Sequence, residues 1–393
     1  MSIGEAQRAL QGASSRLAEI DATRGLIIVF MAMDHVSGFI LRRHSVEFWA
    51  GAWTQYGDPL QFFFRFLSHL CAPGFFFWMG TGIALLAASR ERAGWGSARI
   101  RRFLLVRGLV LVTLICALEY GALQLGSLGG RSEPLNAPPP GVDGSIPILF
   151  VASVIQALGF AMLLSAIIGA FNRSALWAIG GAALAALCNA LIPPPAAAAH
   201  PAPLWQGVLY LTGQAGWLFS VYPILPWFAL CALGIAYGGW LSRDRENAQR
   251  SYLRVGLGAI ALALVLRATG TFGNIRLPRD SSFIEFLNLI KYPPALVFTL
   301  LFTGGNLVLA WIFARLGGPI TAVLGVFGRA PLFFFLAHLW LYALVGYAFF
   351  RNGTSYPIAI PIWLGSMIPL YYACRWFDEF KQRRPIESWW RVF

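Results

Sequence analysis

Long apolar runs alternate with short polar and basic stretches along the whole chain. The runs fall near 25–42, 62–88, 103–126, 146–171, 174–192, 217–241, 253–271, 290–315, 330–350 and 357–374. Nearly all reach the ~18–20 residues that cross a bilayer as a helix. They are continuous rather than alternating, so the spans are helices and not barrel strands. The pattern predicts an all-α polytopic integral membrane protein with about ten transmembrane helices, ten or eleven, set in a lipid bilayer. It divides the chain into an N-terminal segment 1–24, a single transmembrane domain 25–374 and a basic tail 375–393. Residues 204–214 are apolar but too short to cross, and read as an interfacial or re-entrant piece. Residues 5–19 read as a short helix on the membrane surface.

Composition agrees. The 393 residues are 58% hydrophobic and 12% charged, about half the charge of a soluble domain. The net charge of +13 raises nucleic acid as a partner. The charges, however, form short clusters between apolar runs. That pattern orients membrane proteins, so nucleic acid is not expected. With the N-terminus inside, most of the 30 Lys and Arg fall on cytoplasmic segments. The densest cluster is Arg90, Arg92, Arg99, Arg101, Arg102 and Arg107, between the second and third spans. Both termini are therefore expected in the cytoplasm. The polar N-terminal stretch lacks the apolar core of a cleavable signal, which leaves insertion to the first span. The five cysteines sit in or beside apolar runs with no CxxC pair. They read as packing residues rather than a metal or disulfide framework.

The first span opens with Asp21 and Arg24 and carries Asp34-His35 further across. Ionisable groups are costly in hydrocarbon and mark functional sites by default. Arg24 and His35 are three helical turns apart, about 16 Å along one face. Asp34 and His35 point about 100° apart, so each needs a partner on another span. His69 in the second span and His338 in the ninth reach a similar depth by helical rise. Pro73-Gly74 should bend the second span next to His69. An imidazole titrating near neutrality suits a general base or a proton relay. The plain alternative for each is a hydrogen bond between helices, worth about 0.6–2 kcal/mol.

Asp21-Ala-Thr-Arg24-Gly25 followed by Asp34-His35 resembles the opening of the heparan-alpha-glucosaminide N-acetyltransferase catalytic-domain family, in its bacterial branch. Further similar motifs follow in order. They are Ser68-His69-Leu-Cys-Ala-Pro73 with Gly80-Thr-Gly82, Tyr222-Pro223 with Pro226-Trp227, Lys291-Tyr292-Pro293-Pro294, and Phe327-Gly328-Arg329 with His338. The resemblance implies an acyltransferase fed by acetyl-CoA, or another acyl-CoA, from the cytoplasm, with a sugar or glycan acceptor at the outer side. It places the protein in a bacterial cytoplasmic membrane, and a homodimer follows from it by analogy alone. The lumenal extension of the lysosomal enzyme does not precede the domain here, so heparan itself is not expected as the substrate.

On this reading His35 is the general base or a transient acyl carrier. Asp34 or another carboxylate orients the site, and His69 positions the acceptor or stabilises the oxyanion. Arg24, Arg99, Arg101, Arg102 and Arg329 are the candidate donor-binding residues, since arginine suits phosphates. The plain reading of each is setting topology. Lys291, Tyr292 and His338 are candidate acceptor contacts. No metal is expected. The competing class is a proton-coupled transporter or exporter, which level histidines and prolines within spans would also suit. The chain shows no inverted repeat, and few acidic residues lie within the spans.

Overall fold

A computed structural model describes residues 17–50, 53–129, 133–134, 146–194, 202–385, 388 and 390. Most of the expected surface helix 5–19, the loop from Pro195 to His200 and the end of the basic tail lie outside the described residues. The helices in chain order are α1 (Ala18–Phe39), α2 (Pro59–Ser68), α3 (Cys71–Arg92), α4 (Ser97–Val110), α5 (Cys116–Leu128), α6 (Val154–Ile168), α7 (Ser174–Leu191) and α8 (Leu204–Leu209). They continue as α9 (Ile224–Arg243), α10 (Arg245–Thr269), α11 (Phe283–Leu287), α12 (Leu296–Leu316), α13 (Gly318–Arg329), α14 (Pro331–Phe349) and α15 (Tyr356–Gln382). The chain is an all-α polytopic membrane protein. Among the described residues, eight helical segments are long and apolar enough to cross a bilayer, with α2–α3 and α4–α5 each counted as one. Each of the ten expected runs contains a helix. Two fall short of the same test: α1 carries Glu19, Asp21, Arg24 and Asp34, and α6 has only 15 residues.

The α6 run is short because its expected start is a strand. Phe150–Ala152 (β1) pairs in parallel with Leu218–Ser220 (β3), which pairs antiparallel with Gly213–Ala215 (β2). The spans expected from 146 and from 217 therefore begin late. The piece expected at 204–214 is α8 running into β2. Sequence reading also passed over α13, a 12-residue helix with one apolar face.

Small residues bring the helices close. A Cβ on Gly25 would collide with the Leu324 carbonyl of α13, and one on Gly328 with the Asp21 carbonyl of α1. Gly80 and Gly234 seat α3 on α9 in the same way. Without a hydrophobic drive between helices in lipid, such close approach is what holds a bundle. Two irregularities bear on function. The α2–α3 span breaks at His69-Leu70, one turn before Pro73, whose missing N–H cannot serve the His69 carbonyl. Between α4 and α5, Leu111–Ile115 form a π-helical turn, a feature common beside functional sites.

Candidate functional site

Two cavities meet back to back inside the bundle. The larger, about 870 Å³, is lined by Asp34, His35, His44, Ser68, Glu119, Ser153, Tyr222, Lys291 and Tyr292 among others. The second, about 430 Å³, opens toward the basic end and is lined by Arg24, Arg90, Arg107, Arg329 and Lys381 with Trp78 and Phe103. Phe75, Val154 and Phe335 line both. A further polar cavity of about 570 Å³ shares Arg24, Trp78, Gly82, Arg329 and Lys381 with the second, and adds Arg92 and Arg245.

His35 and His338 form a directed pair. Their rings stack with centroids 5.0 Å apart, and His35 Nδ1 lies 2.7 Å from His338 Nε2. His338 Nδ1 lies 2.7 Å from the Phe334 carbonyl, which only accepts. His338 Nδ1 must therefore carry a proton, and its neutral ring accepts at Nε2. His35 then donates from Nδ1, which leaves Nε2 as its basic nitrogen.

Asp34 is held separately. Arg65 Nη1 donates to both its oxygens at 2.8 Å, and Ser68 Oγ donates at 3.1 Å. Arg65 also grips Glu47, with Nε at 2.9 Å and Nη2 at 2.6 Å. His69 Nε2 stands 3.3 Å from Glu47, and the Tyr56 hydroxyl donates to Glu47 at 3.2 Å. Glu47 and Arg65 are buried. Burial alone would raise the Glu47 carboxyl, but Arg65, then His69, reverse this and hold it well below the usual carboxylate range. His44 faces Asp34 at 3.7 Å. Burial lowers its pKa from the ordinary histidine value, against the pull of Asp34.

The remaining cavity wall comes from loops and helix ends. Lys291 and Tyr292 lie in a turn before α12, where Tyr292 N–H donates to the Glu47 carbonyl at 3.1 Å and Trp49 N–H to the Tyr292 carbonyl at 2.9 Å. The Tyr222 hydroxyl sits 3.3 Å from that of Tyr292. Opposite them, Ser153 caps α6 and donates to the buried Glu119 of α5.

The expected residues thus divide. Asp34, His35, Lys291 and Tyr292 gather on the larger cavity, and Arg24 and Arg329 on the basic ones. The two adjacent residues of α1 find partners on different helices, as their angular separation requires. His69 does not line the cavity: it is packed between Phe298, Phe302 and Glu47, so it reaches the site only through that carboxylate. His338 is fully buried against His35 and does not line the larger cavity. Arg99, Arg101 and Arg102 also miss the cavities. Arg101 is spent on the carbonyls of Ala166 and Ile167, Arg99 lies over Trp95, and Arg102 is exposed. Sequence reading missed Arg65, Glu47, His44 and Glu119. Arg65 and Glu119 did carry a signal, Arg65 as the lone charge inside the run 62–88 and Glu119 as the lone acidic residue inside 103–126.

Residues 16–269 match the family described as Heparan-alpha-glucosaminide N-acetyltransferase, catalytic. No curated protein matches the chain significantly. The family match gives the carrier reading no support.

Proposed function

The chain belongs to the heparan-alpha-glucosaminide N-acetyltransferase catalytic family, a family of transmembrane acetyltransferases, and on that premise we propose that it moves an acetyl group from cytoplasmic acetyl-CoA to a sugar or glycan acceptor across the bilayer. The observation that supports this best is the pair of cavities, one cationic and one holding an imidazole, that share Phe75, Val154 and Phe335. In this reading the basic end faces the cytoplasm of a bacterial cell, and both chain termini with it. The donor phosphates bind Arg24, Arg90, Arg107, Arg329 and Lys381, where arginine offers bidentate contacts. The pantetheine arm runs along Trp78 and Phe75 and brings the thioester to the boundary beside His35.

The acceptor enters from the opposite side, between Lys291, Tyr292, Tyr222 and Glu119. His35 Nε2 takes the proton of its hydroxyl or amine as that atom attacks the thioester carbonyl. The tetrahedral intermediate then expels the CoA thiolate, which receives the proton from His35. His338 holds the His35 tautomer, and Asp34, fixed by Arg65 and Ser68, stabilises the imidazolium. Arg65, Glu47 and His69 set the geometry without touching substrate.

The test is transfer of radiolabelled acetyl from acetyl-CoA to glucosamine, used as the probe acceptor, by purified protein in liposomes. His35→Ala should abolish transfer while acetyl-CoA still binds. Full transfer by that variant removes His35 from the role. Loss in His44→Ala alone would move the base to the other imidazole beside Asp34.

A further inference from the structure

We propose that Phe75, Val154 and Phe335 form an acyl-length selector at the boundary between the two cavities. This rests on the donor path given above and adds to it the chemistry of the group transferred. The three side chains come from three helices and are the residues common to both cavity walls. Phe335 is buried, one turn ahead of His338, with its ring edge-on to His35 at 6.1 Å.

Each backbone at the boundary is fixed. Pro331 opens α14, Pro73 lies in the first turn of α3, and Ser153 and Gln156 close a capping box at the start of α6. The width of the boundary is therefore set by side chains rather than by movable loops.

A thioester advancing from the basic end presents its acyl group first. That group must pass between the two rings before the carbonyl comes level with His35. An acetyl group ends one methyl beyond the carbonyl. A longer chain must displace a ring or project into the cavity where the acceptor sits. Either outcome penalises chain length, and a pocket edge discriminates at about tenfold or more per methylene when it cannot yield.

The experiment is calorimetric titration of the full-length protein in detergent with CoA, acetyl-CoA, butyryl-CoA and hexanoyl-CoA. For the wild type, affinity should fall at least about tenfold from acetyl- to hexanoyl-CoA. Phe335→Ala should erase most of that fall while free CoA binds as before. Phe75→Leu, a milder change that guards against misfolding, should reduce it in part. A wild type that binds CoA and all three thioesters alike, or a Phe335→Ala series that parallels the wild type, overturns the selector alone. A wild type that binds neither CoA nor any thioester overturns the donor path, and the selector with it.

Discussion

The two main cavities are built on opposite principles. At the basic end Arg24, Arg90, Arg107, Arg329 and Lys381 present charge of one sign on long side chains. Asp21 stands 3.9 Å from Arg24, Asp378 takes Arg329 at 2.8 Å, and Lys381 donates to the Arg329 carbonyl at 2.7 Å. Around Asp34 both signs occur, and the carboxylates of Asp34 and Glu47 are held by one buried guanidinium. On the proposed function, the basic cavity attracts a multiply charged, flexible ligand and the other holds a few atoms still. Affinity would then reside in one and orientation in the other, so mutations at the two should separate binding from turnover.

The sharpest break comes from His35→Ala. Loss of a general base costs about 10²–10⁴-fold in turnover, with acetyl-CoA affinity unchanged by calorimetry. Next is Glu47→Gln, which leaves Arg65 partly unpaired in a buried site. Removing one partner of a buried pair costs about 3–5 kcal/mol, read as a lower midpoint in thermal unfolding. Arg24→Gln should act the other way, weakening acetyl-CoA about tenfold with the turnover number largely kept, and the difference should shrink as salt rises. The smallest effect is on pH. The Glu47 carboxyl titrates lower in the folded protein than its ordinary value of 4.5. Its stabilisation is complete above that value and fades as pH falls toward the folded one. The unfolding temperature should drop between pH 5 and pH 3, and Glu47→Gln should flatten that drop.

The helical architecture and the Asp34-His35 pair on the cavity wall could be read from sequence because hydrocarbon makes both conspicuous. Apolar runs announce helices, and a charge inside one announces a use. Arg65 obeyed the same rule within the run 62–88 and was passed over because the neighbouring His69 drew the chemistry. Glu47 gave no such signal, since it lies in a loop and is buried only once the stretch 290–294 folds over it. The arginine cluster misled for a related reason. Arg99, Arg101 and Arg102 lie away from the cavities, and only three-dimensional packing separates them from Arg90 and Arg107. The strands at 150–152 and 213–220 were hidden in runs that looked helical, because short apolar stretches do not declare their period.

The Arg65 clasp has a mechanical corollary. One guanidinium ties α2 to α1 through Asp34 and to the 43–50 stretch through Glu47, so none of these can slide without breaking a buried ion pair. That side of the chamber is an anvil. Whatever yields when substrates load must belong to the facing α5, which is joined to α4 by a π turn whose Leu111 reaches the basic cavity. Amide exchange should accordingly be slow across 59–72 and measurably faster across 111–128.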